Sequence, residues 1–197
     1  MLTYLQEIDT QLFLYLNSLH VEWLDQLMAL LTGRWIWIPF YIALSMMIYF
    51  RVGFQKMLIA LVLIGLAIVV TGQICASVIR PYVARLRPAN IDSPISDMVH
   101  IVNGYRGGQY GFPSCHASNT FCLAAFMSLL LKRKWITAMM ISWALFQCYT
   151  RIYLGLHYPG DILAGAIVGS LIGSSFYLIY ITAINKAPRL VGLKKIN

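Results

Sequence analysis

Thr150-Arg151-Ile152-Tyr153-Leu154-Gly155-Leu156-His157-Tyr158-Pro159-Gly160-Asp161 joins two long apolar runs and carries an arginine, a histidine and an aspartate. Ionisable groups in or beside a membrane are costly, so each needs a partner or a task. Pro159 suits the first turn of a helix, and residues four apart share a helical face, so His157 and Asp161 can meet. The carboxylate would then hold one ring nitrogen as a donor and leave the other free to attack or to take a proton. Arg151 is permanently charged and planar, a geometry that holds a pair of phosphate oxygens. The same residues would also suit a solvated turn between two membrane helices. Alone, the stretch leaves both readings open.

Composition sets the surroundings. Of 197 residues, 59% are apolar and only 11% charged, whereas soluble domains are about a quarter charged. A soluble globular domain is excluded, and the length predicts a single domain over residues 1–197. The net charge of +8 does not point to nucleic acid. Nine of the fifteen Lys and Arg sit beside apolar runs, at Arg51 and Lys56, at Lys132, Arg133 and Lys134, and at Lys186, Arg189, Lys194 and Lys195. That is the positive-inside pattern of a membrane protein, and the bilayer is the expected partner. Cys75, Cys122 and Cys148 lie inside apolar runs, where a thiol is a small apolar residue, so no disulfide framework is expected. The first residues carry Glu7 and Asp9 and lack the basic start of a cleavable signal peptide.

Taken in order, the chain predicts an all-α membrane bundle of about five spanning helices behind short N-terminal helices. Leu5, Ile8, Leu12 and Tyr15 form one stripe over Tyr4–Ser18, which predicts an amphipathic helix in the interface. A short apolar piece follows over Val21–Thr32, and residues 1–33 contain acidic groups but no Lys or Arg. Spans are expected over Trp35–Phe50, Met57–Ile79, Ser114–Leu131, Trp135–Tyr149 and Pro159–Thr182, making a core over 35–182 with a basic tail over 183–197. Gln73 and Ser77 are expected to face a polar interior. Glycine and small residues in the last span predict close helix packing. Residues Arg80–Gly111 form the one long non-apolar stretch, a length more often functional than idle. Counting sides places the loops at 51–56 and 132–134 and the tail in the cytoplasm. Residues 80–116 and 151–158 then share the opposite, outer face.

Two further stretches complete the pattern. Arg80-x6-Arg87-Pro88, Pro113-Ser114-Cys115-His116 and Thr150-Arg151-x5-His157-x3-Asp161 together resemble the three-part signature of the type 2 phosphatidic acid phosphatase (PAP2) superfamily, over roughly Met57–Thr182. Three motifs in the correct order are far more specific than any one of them. The resemblance implies that Arg80, Arg87 and Arg151 hold a phosphate, with Ser114 and the backbone N–H of Cys115 as further donors. It implies that His157 is the nucleophile, forming a phosphohistidine, that Asp161 orients it, and that His116 protonates the departing oxygen and then activates water. Independently, residues 114–116 open a helix, whose N-terminal amides favour an anion. The chain departs from the family pattern at Arg80 (usually lysine), Thr150 (usually serine) and Cys115 (usually glycine). Arg85, Tyr105, Arg106, Tyr110 and Phe112 could shape a headgroup pocket or simply pack at the interface.

No metal or other cofactor is expected, since there is no carboxylate cluster and His20 and His100 lack ligand partners at recognisable spacing. The expected function is metal-independent hydrolysis of a lipid phosphate or diphosphate at the outer face of a bacterial inner membrane. Undecaprenyl diphosphate is favoured because the chain is short; phosphatidylglycerophosphate, phosphatidic acid and lipid A phosphates are the alternatives. A phosphate-lipid transporter would need no nucleophile, which the His157–Asp161 spacing argues against. A vanadate-dependent haloperoxidase shares the motifs but is soluble. Cys115 looks like a catalytic thiol, yet a cysteine phosphatase places an arginine six residues on, where this chain has Phe121.

Overall fold

The computed structural model of the chain describes residues 2–186. Arg189, Lys194 and Lys195 of the expected basic tail lie outside the described residues. Every regular element among the described residues is helical: α1 (Leu2–Ser18), α2 (Glu22–Leu31), α3 (Ile38–Val52), α4 (Phe54–Gln73), α5 (Arg80–Val83), α6 (Cys115–Leu131), α7 (Lys134–Tyr153) and α8 (Pro159–Lys186). Trp35–Val52, Phe54–Val83 and Pro159–Lys186 are long and apolar enough to cross a membrane, and Cys115–Leu131 is a shorter apolar helix. All five segments expected to span are therefore helices. Short turns reverse the chain between them: Gly53 at φ +81° separates α3 from α4, and Lys132 at φ +51° ends α6.

Several boundaries differ from the sequence reading. The second span begins at Phe54 and runs through a wide π turn, Ile74–Ile79, straight into α5. Arg80 is therefore helical and not part of the long loop. Such a turn shifts the register of the residues beyond it. Gln73 and Ser77, expected to face inward, are exposed and bond each other at 2.9 Å, while Thr71 and Cys75 turn into the protein. α7 likewise extends four residues past its expected end at Tyr149, which puts Arg151 on a helix.

α1 lies against the loops that carry the motif residues. Its apolar stripe of Leu5, Ile8, Leu12 and Tyr15 faces away from the protein, while Phe13 and Asn17 are buried. The Phe13 ring meets Tyr158 edge-on at 5.3 Å. Asn17 donates to the carbonyls of Ile152 and Tyr153 at 3.0 and 2.9 Å. The apolar core below is filled by Phe126, Met127, Met140 and Tyr180.

The tightest helix pair is α6 against α8. Gly165, Gly169 and Gly173 recur every four residues on α8, and Ser114, Ser118 and Cys122 recur likewise on the facing helix. A Cβ at Gly165 would come 2.5 Å from the Ser114 carbonyl oxygen, and one at Gly169 or Gly173 would overlap the Ser118 or Cys122 backbone. Helices in membranes associate through such close backbone approach, because lipid leaves little hydrophobic force between them. This contact fixes the top of α6 beside the top of α8, where Ser114 N–H donates to the Asp161 carbonyl at 2.9 Å. At the opposite end Arg51, Lys132 and Asn185 gather around one hollow. The motif residues therefore share one end of the bundle and basic residues the other.

Gly169→Val should force α6 and α8 apart at a cost of about 1–3 kcal/mol, lowering Tm in detergent by roughly 3–10 °C. Leu171→Ala, on the outward face of the same helix at 64% exposure, should leave Tm within about 2 °C. Equal melting of Gly169→Val and the parent chain would show that the helices do not depend on this contact.

Candidate active site

α8 opens at Pro159, and its first turn holds Asp161 fully buried beneath His157. His157 Nδ1 lies 3.4 Å from Asp161 Oδ2, which also accepts the Tyr158 N–H at 3.1 Å. The other ring nitrogen, Nε2, is 2.9 Å from Arg87 Nη1. A guanidinium can only donate, so Nε2 is the acceptor and Nδ1 carries the proton towards Asp161. Burial first, and then the charges of Arg87, Arg151 and Arg80, hold the His157 pKa well below the usual histidine range. The ring is therefore neutral near pH 7, with a lone pair on Nε2.

Arg87 reaches this position through local pairing of the long loop. Arg87 N–H bonds the Gln109 carbonyl at 3.1 Å, Gly111 N–H bonds the Arg85 carbonyl at 2.8 Å, and Leu86 bridges Tyr110. In such an extended pairing residues 85 and 87 point the same way. Arg87 also donates to the Leu156 carbonyl at 3.0 Å. Burial, then the charge of Arg80, lowers its pKa, the sign of cations crowded together out of water.

The other two arginines enter from helices. Arg80, on α5, donates to the Pro113 carbonyl at 3.2 Å and to Cys115 Sγ at 2.9 Å. Arg151, in the last turn of α7, donates to Thr32 Oγ1 at 2.8 Å. Each of Arg80, Arg87 and Arg151 keeps a buried Nε with no hydrogen-bond partner. A buried donor left unmet is costly, more so on a charged group. Three such donors lie around one histidine, an arrangement with the charge and free N–H groups to take an anion. Ser114 caps α6, its Oγ accepting the Ala117 N–H at 3.3 Å, so its hydroxyl proton is still available. Cys115 takes helical, negative-φ backbone, so cysteine in place of glycine causes no strain there. Its sulfur, which Phe121 argues against as a catalytic thiol, accepts a hydrogen bond from Arg80.

His116 sits one residue further along α6. Gln147 Nε2 donates to the Leu31 carbonyl at 3.2 Å, which turns its Oε1 to His116 Nε2 at 3.0 Å. His116 Nε2 therefore carries a proton, and Nδ1 is the nitrogen left to accept or relay one. Among the described residues no group of three or more His, Cys, Asp or Glu is arranged to hold a metal ion.

Several neighbours take roles that the sequence does not indicate. Arg85, read as a possible headgroup contact, is committed to carboxylates: its Nη1 lies 3.0 Å from Asp161 Oδ1 and 2.7 Å from Asp9 Oδ2, and its guanidinium covers the Tyr158 ring at 3.9 Å. Asp9 Oδ1 in turn accepts the Gly160 N–H at 2.7 Å, so α1 clamps the turn that carries Asp161. Gly111 packs on the pair itself, where a Cβ would stand 3.0 Å from Asp161 Oδ2. Thr32 accepts from both Thr150 and Arg151. Arg106 is turned away to the Ala89 carbonyl and Ser96 Oγ, at 2.7 and 2.9 Å, and holds the loop instead of a headgroup. Gln147 is detectable as a polar residue one turn before Arg151 in an apolar helix; Asp9 and Thr32 give no local signal.

The PAP2 superfamily model matches residues 56–184, most of the chain. A lipid A 4'-phosphatase of Bacteroides thetaiotaomicron is 46% identical over 91% of this chain and 80% of its own length. An undecaprenyl-diphosphatase of Sulfolobus acidocaldarius is 30% identical over 83% of this chain and 74% of its own. In fold, the chain resembles a transmembrane PAP2-type phosphatidylglycerolphosphate phosphatase from Bacillus subtilis, with a TM-score of 0.62 at 20% identity over 95% and 89% of the two chains. The chain belongs to the PAP2 superfamily and is a membrane lipid phosphatase.

Proposed function

We propose that this protein removes a phosphate ester from lipid A, without a metal ion, through a phosphohistidine on His157. The observation that carries the reading is the ring of three unpartnered buried Nε donors, on Arg80, Arg87 and Arg151, around a neutral His157 whose Nε2 is unprotonated. Arg87 would move its bond from Nε2 to the phosphate as the phosphate enters. Nε2 attacks phosphorus, and the P–O bond to the lipid breaks. The departing oxygen takes the Nδ1 proton of His116, which enters this step as the imidazolium with its Nε2–H held by Gln147, while Asp161 steadies the growing charge on the His157 ring. Water then gives a proton to His116 and attacks the phosphohistidine, releasing inorganic phosphate and restoring both rings. Arginine charge and the N-terminal amides of α6 stabilise the equatorial oxygens throughout.

The favoured substrate changes from the sequence reading. Chain length favours undecaprenyl diphosphate, but length carries no headgroup information. Identity of 46% to a lipid A 4'-phosphatase, against 30% to an undecaprenyl-diphosphatase, supports lipid A phosphate. The basic end of the bundle supports placing this site on the outer face of the inner membrane.

In purified protein, lipid A 4'-phosphate should be hydrolysed with a kcat/KM at least ~10-fold above that for undecaprenyl diphosphate, a margin set by differential transition-state binding. EDTA should leave the rate intact. Faster release from undecaprenyl diphosphate would overturn the substrate, and loss in EDTA restored by Mg²⁺ would overturn the mechanism.

The His157 ring provides a separate check. Its depressed pKa means that lowering pH through the ordinary range, about 6.5, should leave it neutral. ¹⁵N NMR of histidine-labelled protein at pH 6 should show a neutral ring protonated at Nδ1 that is absent in His157→Gln. An imidazolium signal from that ring would contradict the geometry.

A further inference from the structure

A cavity of about 450 Å³ opens directly beneath the His116–Gln147 pair. His116, Asn119, Thr120, Leu123 and Met127 line it from α6, a single face at helical spacing. From His116 to Met127 that face spans roughly 16 Å of helix, about a dozen extended methylene groups. Leu44 of α3, Ile64 of α4 and Trp143 of α7 close the other sides. The shape and lining suit one hydrocarbon chain, entered from the nitrogen-bearing edge of the site.

The lining is not uniformly apolar. Asn119 Oδ1 and Trp143 Nε1 are both buried without a hydrogen-bond partner, and Trp143 is only 8% exposed. Asn119 stands three residues below His116 on α6. Trp143 stands four residues before Gln147 on α7, which runs the opposite way. Since His116 and Gln147 bond each other at 3.0 Å, both unpartnered atoms lie about one helical turn, roughly 5 Å, beneath that pair. One is an acceptor and the other a donor.

We propose that this cavity seats an acyl chain of the lipid leaving group, and that Asn119 Oδ1 and Trp143 Nε1 together read an amide or hydroxyl near the head of that chain. This rests on the lipid A reading above. A secondary amide offers an N–H to Asn119 and a C=O to Trp143, and a hydroxyl can serve both. An ester has no donor and leaves Asn119 unmet; a polyprenyl chain satisfies neither atom. Sites built around such polar atoms reject analogues that lack the matching group far more strongly than apolar pockets reject a missing methylene. The two residues are thus specificity-determining and favour N-acylated or hydroxyacylated sugar phosphates.

The test uses the full chain in detergent and two synthetic sugar phosphates with single saturated chains of equal length, one amide-linked and one ether-linked. The parent enzyme should prefer the amide by ~10-fold or more in kcat/KM. Asn119→Leu and Trp143→Phe should each cut that preference at least ~3-fold, and the double variant should bring it near unity. Thermal melting identifies a variant that fails to fold, in which case Asn119→Leu alone decides. Equal rates of the parent enzyme on the two lipids, or a preference that survives Asn119→Leu, would overturn the inference while leaving the lipid A reading in place. An enzyme that turns over undecaprenyl diphosphate in preference to both sugar phosphates would overturn the two together.

Discussion

The backbone contact between α6 and α8 is the constraint on which the site depends. Two rows of small residues, Ser114, Ser118 and Cys122 against Gly165, Gly169 and Gly173, let the helices approach to where a single Cβ would not fit. The consequence is felt at the top of the pair. Ser114 and His116 come from one helix and Asp161 from the other, with His157 in the loop just before it. Their spacing is set by the Ser114 N–H to Asp161 carbonyl bond at 2.9 Å. Binding chemistry and ring-orienting chemistry thus share one rigid joint, the arrangement that positions reacting groups to a fraction of an ångström.

Around that joint the arginines divide by their partners. Arg85 is neutralised by Asp9 and Asp161 and braces the carboxylate. Arg80, Arg87 and Arg151 have no acidic ion-pair partner among the described residues and are anchored on carbonyls, a hydroxyl, a sulfur and an imidazole, each with an Nε to spare. Uncompensated buried cations are destabilising, so their persistence points to an anion that completes the site. Burial first, and then the same cations, keep His157 neutral, so the charges proposed to bind phosphate also help keep Nε2 unprotonated. α1 takes part through Asp9, which bonds Gly160 and Arg85 and closes the site from outside.

Much of this is legible in the amino-acid sequence. The three motifs, their common end of the bundle and the His157–Asp161 meeting follow from spacing and from the placement of Lys and Arg. The length of the apolar runs also marks all five long segments. What escapes is set by contacts far apart in sequence or by local backbone. Gln73 points outward, against expectation, because it lies off the α4 face that buries Ala67 and Thr71, and Ser77 does so inside a π turn that has no compositional mark. Arg85 and Arg106 are indistinguishable from other loop cations in sequence, and only the Leu86–Tyr110 pairing and the Asp9 partner separate them. The outward stripe of α1 is readable, whereas its inward Phe13 and Asn17 are not, since their partners lie 83 or more residues away.

The central claim is that the lipid phosphate passes through His157 before it reaches water. It is tested most directly by mixing enzyme with ³²P-labelled lipid A phosphate, quenching within one turnover at alkaline pH, and mapping the label on the denatured chain. The account predicts acid-labile, alkali-stable phosphate on the peptide containing His157 within the first turnover, and none there in His157→Ala. Label on Cys115, or a full burst of phosphate release with no labelled protein at any time, would contradict it.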